Sequence, residues 1–308
     1  LRKAILLVTE LAYRPSRGIG EEMMQIVDLF GNDDTEAMYQ QALAVPLAEK
    51  IEIALLTIRS YEAMALKLSP DGYYVCFSGG KDSIVMAKLF EMAGVKYRLF
   101  YNNVTIDPPE LVQFIKREYP QAKWNHPMQG NLPMHMKFKS NGPPTRLSRW
   151  CCEVYKEQGG TGYLKSTGVR AAESPRRKGM WKIINNNNGG MILCPIIYWT
   201  DADVWQFIRE NNMPYCSLYD EGFKRLGCVG CPMGGKNRLL EFKRWPKYEA
   251  MWKRGFQVYW DTWKGVPRRD GGPRWIERMN SVEELWDWWL QTENVNDTDN
   301  ADCQMFLW

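Results

Sequence analysis

The sequence predicts an α/β fold, a doubly wound parallel sheet with helical additions at its N- and C-terminal ends. Three observations predict it. The β-prone run Tyr73-Tyr74-Val75-Cys76-Phe77 leads into Ser78-Gly79-Gly80-Lys81-Asp82-Ser83 and then into a helix-period stretch. A second apolar run, Tyr97–Tyr101, is followed by Pro108-Pro109-Glu110, which suits a helix N-terminus. Strand, helix, strand, helix is the order of a parallel sheet covered on both faces.

Taken in order, residues 1–45 have mixed content with a turn around Gly31-Asn32-Asp33-Asp34, and no internal repeat is found. Pro46 opens a helix with Leu47, Ile51, Leu55, Ile58 and Ala65 on one face. Ser69-Pro70-Asp71-Gly72 is a turn. The next helix runs from about Asp82 to Ala93 and stops at Gly94, and another runs from Pro109 to about Tyr119. Further strands are expected at Gly162–Arg170 and Met191–Cys194, with Asn185–Asn188 and Gly189-Gly190 as a loop tip between them. Thr200 caps a helix over Asp201–Asn211, and Ser281-x-x-Glu284 is a capping box ahead of Leu285–Leu290. The organisation that results is a helical extension over 1–70, a nucleotide-binding α/β domain with a cysteine cluster over 71–235, and a Trp-rich, mainly helical region over 236–308.

With 45% hydrophobic and 25% charged residues, a chain of 308 residues folds rather than stays disordered. No apolar run approaches the roughly 18 to 20 residues of a membrane helix, and Ala4–Val8 is too short for a signal-peptide core. A soluble, cytoplasmic protein with no membrane partner is expected. The net charge of +4 is too mild to demand a polyanionic partner, but its distribution is uneven. Lys236–Arg278 holds twelve Lys/Arg against five Asp/Glu, whereas Ser281–Trp308 holds seven acids and no base.

The glycines of Ser78–Ser83 let backbone N–H groups approach phosphate oxygens at the carboxyl end of a strand, where the following helix dipole favours an anion. Ser78 and Ser83 add hydroxyls, Lys81 adds a cation, and Asp82 can cap the helix or help hold Mg²⁺. The spacing is not that of a Walker A loop. The hexapeptide resembles the signature of the PP-loop ATP pyrophosphatases, Ser-Gly-Gly-x-Asp-Ser. The resemblance implies a loop, Ser78, Gly79, Gly80, Lys81, Asp82 and Ser83, that grips the pyrophosphate portion of ATP, with Mg²⁺ accompanying it.

Cys151-Cys152 and a distant Cys228-Val-Gly-Cys231 offer four soft ligands, which suit zinc or an iron–sulfur cluster. Cys76 and Cys194, by contrast, read as core. The four-cysteine pattern resembles the adenylyl-sulfate reductases, and the resemblance implies a [4Fe–4S] cluster on Cys151, Cys152, Cys228 and Cys231, with zinc the less favoured metal. Gly168-Val-Arg170-Ala-Ala-Glu173-Ser174-Pro-Arg176 likewise resembles a segment of the phosphoadenosine phosphosulfate (PAPS) reductase family. Arg170 is then expected to take a phosphate or sulfate, Glu173 to pair with it, and Arg176 to reach the anion itself. These matches span residues 73–235 and imply an adenine nucleotide alpha hydrolase-like fold.

The pattern departs from the reductases in two places. They tend to lack the loop lysine, whereas Lys81 is present here. They also carry a nucleophilic cysteine in a C-terminal Glu-Cys-Gly-Leu-His segment that thioredoxin later releases, where this chain has Asp302-Cys303-Gln304-Met305. Cys303, with acidic neighbours that would raise a thiol pKa, is the candidate nucleophile. The leading expectation is an enzyme acting on adenylyl sulfate or its 3′-phosphate, or transferring sulfur, with a thioredoxin-like donor. The alternative is an ATP pyrophosphatase that adenylates a nucleic acid or other acceptor for sulfur insertion, and the third reading is a non-enzymatic nucleic-acid-binding protein. Nine of fourteen tryptophans lie beyond Lys236, among them Trp245, Trp252, Trp260 and Trp263. Interleaved with Lys and Arg, they fit either one buried helical stripe or a stacking surface for single-stranded nucleic acid.

Overall fold

At the centre lies β1, Tyr73–Cys76, in which every residue is buried. A strand buried on both faces belongs inside a parallel sheet and needs no polar alternation, which is what Tyr-Tyr-Val-Cys supplies. The computed structural model describes residues 39–40, 42–126, 134–157, 159–187 and 190–290. These form two compact units. The first takes in residues up to 101 with 114–123 and 160–219; the second takes in 102–113, 124–159 and the chain from 220 onward.

The sheet adds β2 (Tyr97–Asn102), β3 (Lys123–Asn125), β4 (Lys165–Ser166), β5 (Ile184–Asn187) and β6 (Gly190–Leu193). The strand order is β3-β2-β1-β4-β6-β5. β1 pairs parallel with β2 from Tyr73↔Tyr97 to Cys76↔Phe100, and with β4 on its other side. β4 pairs parallel with β6, and β5 pairs antiparallel with β6. This is the doubly wound α/β arrangement the sequence predicts: the chain starts mid-sheet and winds outward in both directions. One face is covered by the helices Leu47–Ser60 and Lys81–Ala93, with Tyr73 donating its hydroxyl to Ile58 O at 2.5 Å and meeting Phe90 edge-on. On the other face Tyr74 stacks on Phe100 with ring centres 3.9 Å apart.

Most predicted elements are present, including the Ser69–Gly72 turn, closed by a 2.9 Å bond from Gly72 N to Ser69 O. Gly94 ends the Lys81–Ala93 helix at φ 70°, a conformation glycine adopts without penalty. The helix expected from Pro46 breaks at Tyr61 into Leu47–Ser60 and Glu62–Leu68. The strand expected over Gly162–Arg170 shrinks to Lys165–Ser166. Gly160 and Gly162 turn the chain just before it at φ 79° and 81°, and a Cβ on Gly168 would lie 3.1 Å from the Asp82 backbone. Most of the asparagine run is strand: Asn185, Asn186 and Asn187 belong to β5 and pair with Ile192, Met191 and Gly190, while Asn188 and Gly189 lie outside the described residues. Ladder bonds outweigh the poor β-propensity of asparagine there, and Asn185 adds bonds to Lys182 N and O.

In the second unit the helices Asn237–Arg244, Pro246–Trp263 and Val282–Leu290 gather an aromatic core. Phe138, Trp252, Phe256, Trp286 and Trp289 are buried, with Trp252 and Trp289 centred 4.7 Å apart. Burying indole requires an acceptor for its N–H; Trp252 donates to Val229 O at 3.0 Å and Trp289 to Pro144 O at 2.7 Å. The predicted tryptophan stripe is therefore divided. Trp245 and Trp252 are buried, while Trp260 and Trp263 are half-buried beneath Lys264 and Arg274. No helix among the described residues is long and apolar enough to cross a membrane.

Candidate functional site

Where β1 ends, the Phe77 N–H bonds to Phe100 O at 2.9 Å and fixes the point from which the phosphate loop departs. Gly79 turns the chain at φ 74°, and Gly80, extended, caps the helix Lys81–Ala93 without a side-chain bond. The Ser83 hydroxyl returns to Gly80 O at 2.9 Å and lies 3.3 Å from the Ser78 oxygen. Two hydroxyls, two glycines and the first turn of a thirteen-residue helix thus converge. The positive end of the helix dipole makes that end a place for an anion.

Charge at this end is arranged in a square. Arg170 donates from Nε to Asp82 Oδ1 at 2.6 Å and from Nη2 to Asp201 Oδ1 at 2.9 Å, with Nη1 3.4 Å from Trp199 O. The Lys81 ammonium reaches the same Asp201 oxygen at 3.2 Å and Asp82 at 3.6 Å. Lys81 and Arg170 are both buried; the Asp201 carboxyl is 62% exposed. Burial pulls the Arg170 guanidinium down, but Asp82, Glu173 and Asp201 outweigh it and hold its pKa above the ordinary value. Two buried cations therefore share one oxygen of an exposed carboxylate. An incoming phosphate or sulfate would offer these two cations several charged acceptor oxygens where Asp201 offers one.

Glu173 lies beside Arg170 without pairing to its side chain. One of its oxygens accepts the Arg170 backbone N–H at 2.8 Å and also pairs with Arg177, which is fully buried. Arg176 stands on the Pro175–Met180 helix, and its side chain lies outside the described residues. Asp203, three residues into the helix that Thr200 caps, takes the Lys50 ammonium at 2.6 Å. The sequence reading assigned no site role to Lys50, Arg177, Asp201, Asp203 or Tyr219. Only the two aspartates had a local signal, as acids in the first turn after a threonine cap. The Tyr219 hydroxyl accepts the Lys81 N–H at 2.8 Å, across 138 residues of chain.

Cys151, Cys152, Cys228 and Cys231 all belong to the second unit. Cys151 and Cys152 lie on the short helix Trp150–Cys152, and Cys228 and Cys231 flank a turn in which Cys231 N meets Cys228 O at 3.3 Å. Gly230, at φ 75°, accepts no side chain, since a Cβ there would lie 2.5 Å from the Phe242 ring. No described cysteine forms a disulfide, and among the described residues no three metal-ligating side chains are gathered into a cage. Four thiols are donors of the kind that iron–sulfur clusters and zinc take. Arg238, 2% exposed, donates only to the carbonyls of Gly235, Trp289 and Leu290. Burial pulls its pKa below the usual value, against the attraction of Cys231 and Glu241. Cys76 and Cys194 are fully buried, and burial pushes both thiols up. Cys303 lies outside the described residues.

Among curated relatives, an uncharacterised protein of Methanocaldococcus jannaschii is 28% identical over 237 residues, covering 70% of this chain and 45% of its own. The adenosine 5′-phosphosulfate reductase of Staphylococcus epidermidis is 25% identical, covering 52% of this chain and 70% of that enzyme. The chain spans under half the length of the two M. jannaschii relatives it matches. A solved PAPS reductase from Candida auris aligns at 17% identity with a TM-score of 0.43, covering 64% of this chain and 95% of that one. The FMN adenylyltransferase of Candida glabrata aligns at 17% and 0.43, covering 74% and 69%. The model of the phosphoadenosine phosphosulfate reductase domain matches residues 72–233, from the turn before β1 through the second cysteine pair and more than half of the 308 residues, and the chain belongs to that family.

Proposed function

We propose that this chain is an enzyme that binds an adenine nucleotide or sulfonucleotide through the phosphate loop and acts on activated sulfate or transfers its sulfur. The observation that carries the reading is the pairing of Lys81 and Arg170 on one oxygen of exposed Asp201, at the N-terminus of the Lys81–Ala93 helix. Two buried cations meeting at an exposed carboxylate beside a helix N-terminus are what a phosphate or sulfate group recruits. Ser78, Gly79, Gly80, Lys81, Asp82 and Ser83 would hold phosphates, and Arg170 would meet the second anionic group. Asp82 and Asp201 offer the hard oxygens that Mg²⁺ prefers, but both are engaged by Arg170 and Lys81. That fits a metal entering on the nucleotide's own phosphates.

Cys151, Cys152, Cys228 and Cys231 would hold a [4Fe–4S] cluster. A thioredoxin-like dithiol is the proposed electron donor and Cys303 the proposed nucleophile. The test is to supply anaerobically purified protein with adenylyl sulfate, its 3′-phosphate and ATP in turn, with a dithiol present. Sulfite and the corresponding adenosine nucleotide appear from a sulfonucleotide if the reading holds. Pyrophosphate released from ATP, with neither sulfonucleotide reduced, replaces it with the second reading.

That second reading, ATP-driven adenylation of a nucleic acid for sulfur insertion, is favoured by a surface feature. Trp275 and Trp288 are exposed with rings 4.8 Å apart, and Arg274 lies 4.0 Å over the Trp263 ring. Exposed aromatics with stacked cations form a platform for unpaired bases.

A further inference from the structure

Tyr219 holds a position in the phosphate loop that a loop of glycines and hydroxyls does not require. Its oxygen lies 2.8 Å from Lys81 N, the first N–H of the Lys81–Ala93 helix, and 3.4 Å from where a Cβ on Gly80 would stand. The ring is fixed edge-on against Trp205, 5.0 Å away at 86°, and Tyr215 lies near it. The Lys81 ammonium is 6.0 Å from the ring centre. As an acceptor the hydroxyl is satisfied; as a donor it has no acceptor among the described residues.

We infer that Tyr219 is a phosphate-binding residue of the loop, its oxygen accepting the Lys81 N–H while its own O–H donates to a phosphate oxygen of the bound nucleotide. The relay carries the pull of the helix N-terminus one bond outward: an N–H bonded to the phenol oxygen polarises the O–H and makes it a better donor. Burial, with Asp82 adding to it, pushes the phenol far above its ordinary pKa, so the proton it would donate stays in place. The inference rests on the proposed reading that the loop takes nucleotide phosphates.

The test is calorimetric titration of the whole chain with inorganic pyrophosphate and with ATP, comparing wild type with Tyr219→Phe. Phenylalanine keeps the ring packed on Trp205 and removes only the hydroxyl. Losing a donor to a charged oxygen weakens binding of both probes by about tenfold or more. Affinity that is unchanged or tighter in Tyr219→Phe overturns the inference, because the hydroxyl would then merely occupy an N–H that phosphate uses directly. If the phenylalanine variant does not fold, the Tyr219 hydroxyl proton of the wild-type chain is followed by NMR during pyrophosphate titration; a downfield shift on binding supports the inference, and an unmoved resonance in a chain that binds overturns it. Wild type that binds neither probe removes the loop reading and this inference together, whereas wild type that binds alongside an unaffected Tyr219→Phe removes this inference alone.

Discussion

Arg170 and Asp82, 88 residues apart in the chain, meet through a 2.6 Å charge-assisted hydrogen bond that ties the segment after β4 to the phosphate-loop helix. The Arg170 side chain is 3% exposed and that of Asp82 16%. A pair this deeply placed positions the loop more than it stabilises the fold, because desolvation offsets much of the attraction.

Removing one partner strands the other. Arg170→Met should destabilise the chain by about 3 kcal/mol, with about 5 as an upper bound, read by urea unfolding. Arg170→Lys keeps the charge but loses the fork that spans Asp82 and Asp201, and should cost less while still weakening nucleotide binding.

Lys50 and Asp203 yield a pH signature. Burial pushes the Asp203 carboxyl up, but the Lys50 ammonium and the N–H and hydroxyl of Thr200 outweigh it and hold it below its ordinary value. Between folded and unfolded pKa the unfolded chain binds the proton more readily, so stability rises with pH through that acid window. The contribution is fully present above the unfolded carboxyl value and disappears as pH falls through the lower, folded one. Lys50→Met should therefore lie well below wild type in stability near neutrality, and the gap should narrow as pH falls into that acid window.

What was legible in the sequence was local. Val75, Gly79 and Gly94 announce strand, turn and helix end within a few residues, and the helix Thr200 caps forms where its cap predicts. The long-range partners were not legible. Nothing near Tyr219 says that its hydroxyl meets Lys81 N, and nothing near Arg177 says that it is buried against Glu173. The asparagines of β5 misled for a related reason, since a ladder to Met191 and Ile192 decides their state and composition does not.

Thr200 gives a smaller, local effect. Its side chain accepts the Asp203 N–H at 3.1 Å and donates to the Asp203 carboxylate at 2.8 Å. Thr200→Ala should cost about 1 kcal/mol, measured by thermal unfolding, and should loosen the helix that presents Asp201.

Gly230→Ala forces a Cβ to within 2.5 Å of Phe242 at a residue with φ 75°. The left-handed backbone alone costs about 1–2 kcal/mol for a side chain, and the clash adds to it. If Cys228 and Cys231 hold the proposed cluster, iron and acid-labile sulfide per chain should fall in anaerobically purified Gly230→Ala. A Gly94→Ala control, also at positive φ but with no atom within 4 Å of its Cβ, should keep them.

The most direct test of the central claim is amide hydrogen exchange on the whole chain with and without ATP or adenylyl sulfate, resolved over residues 78–84. The account predicts that nucleotide slows exchange there and in the segments carrying Arg170 and Asp201. Nucleotide that binds while those amides exchange at their original rate would contradict it.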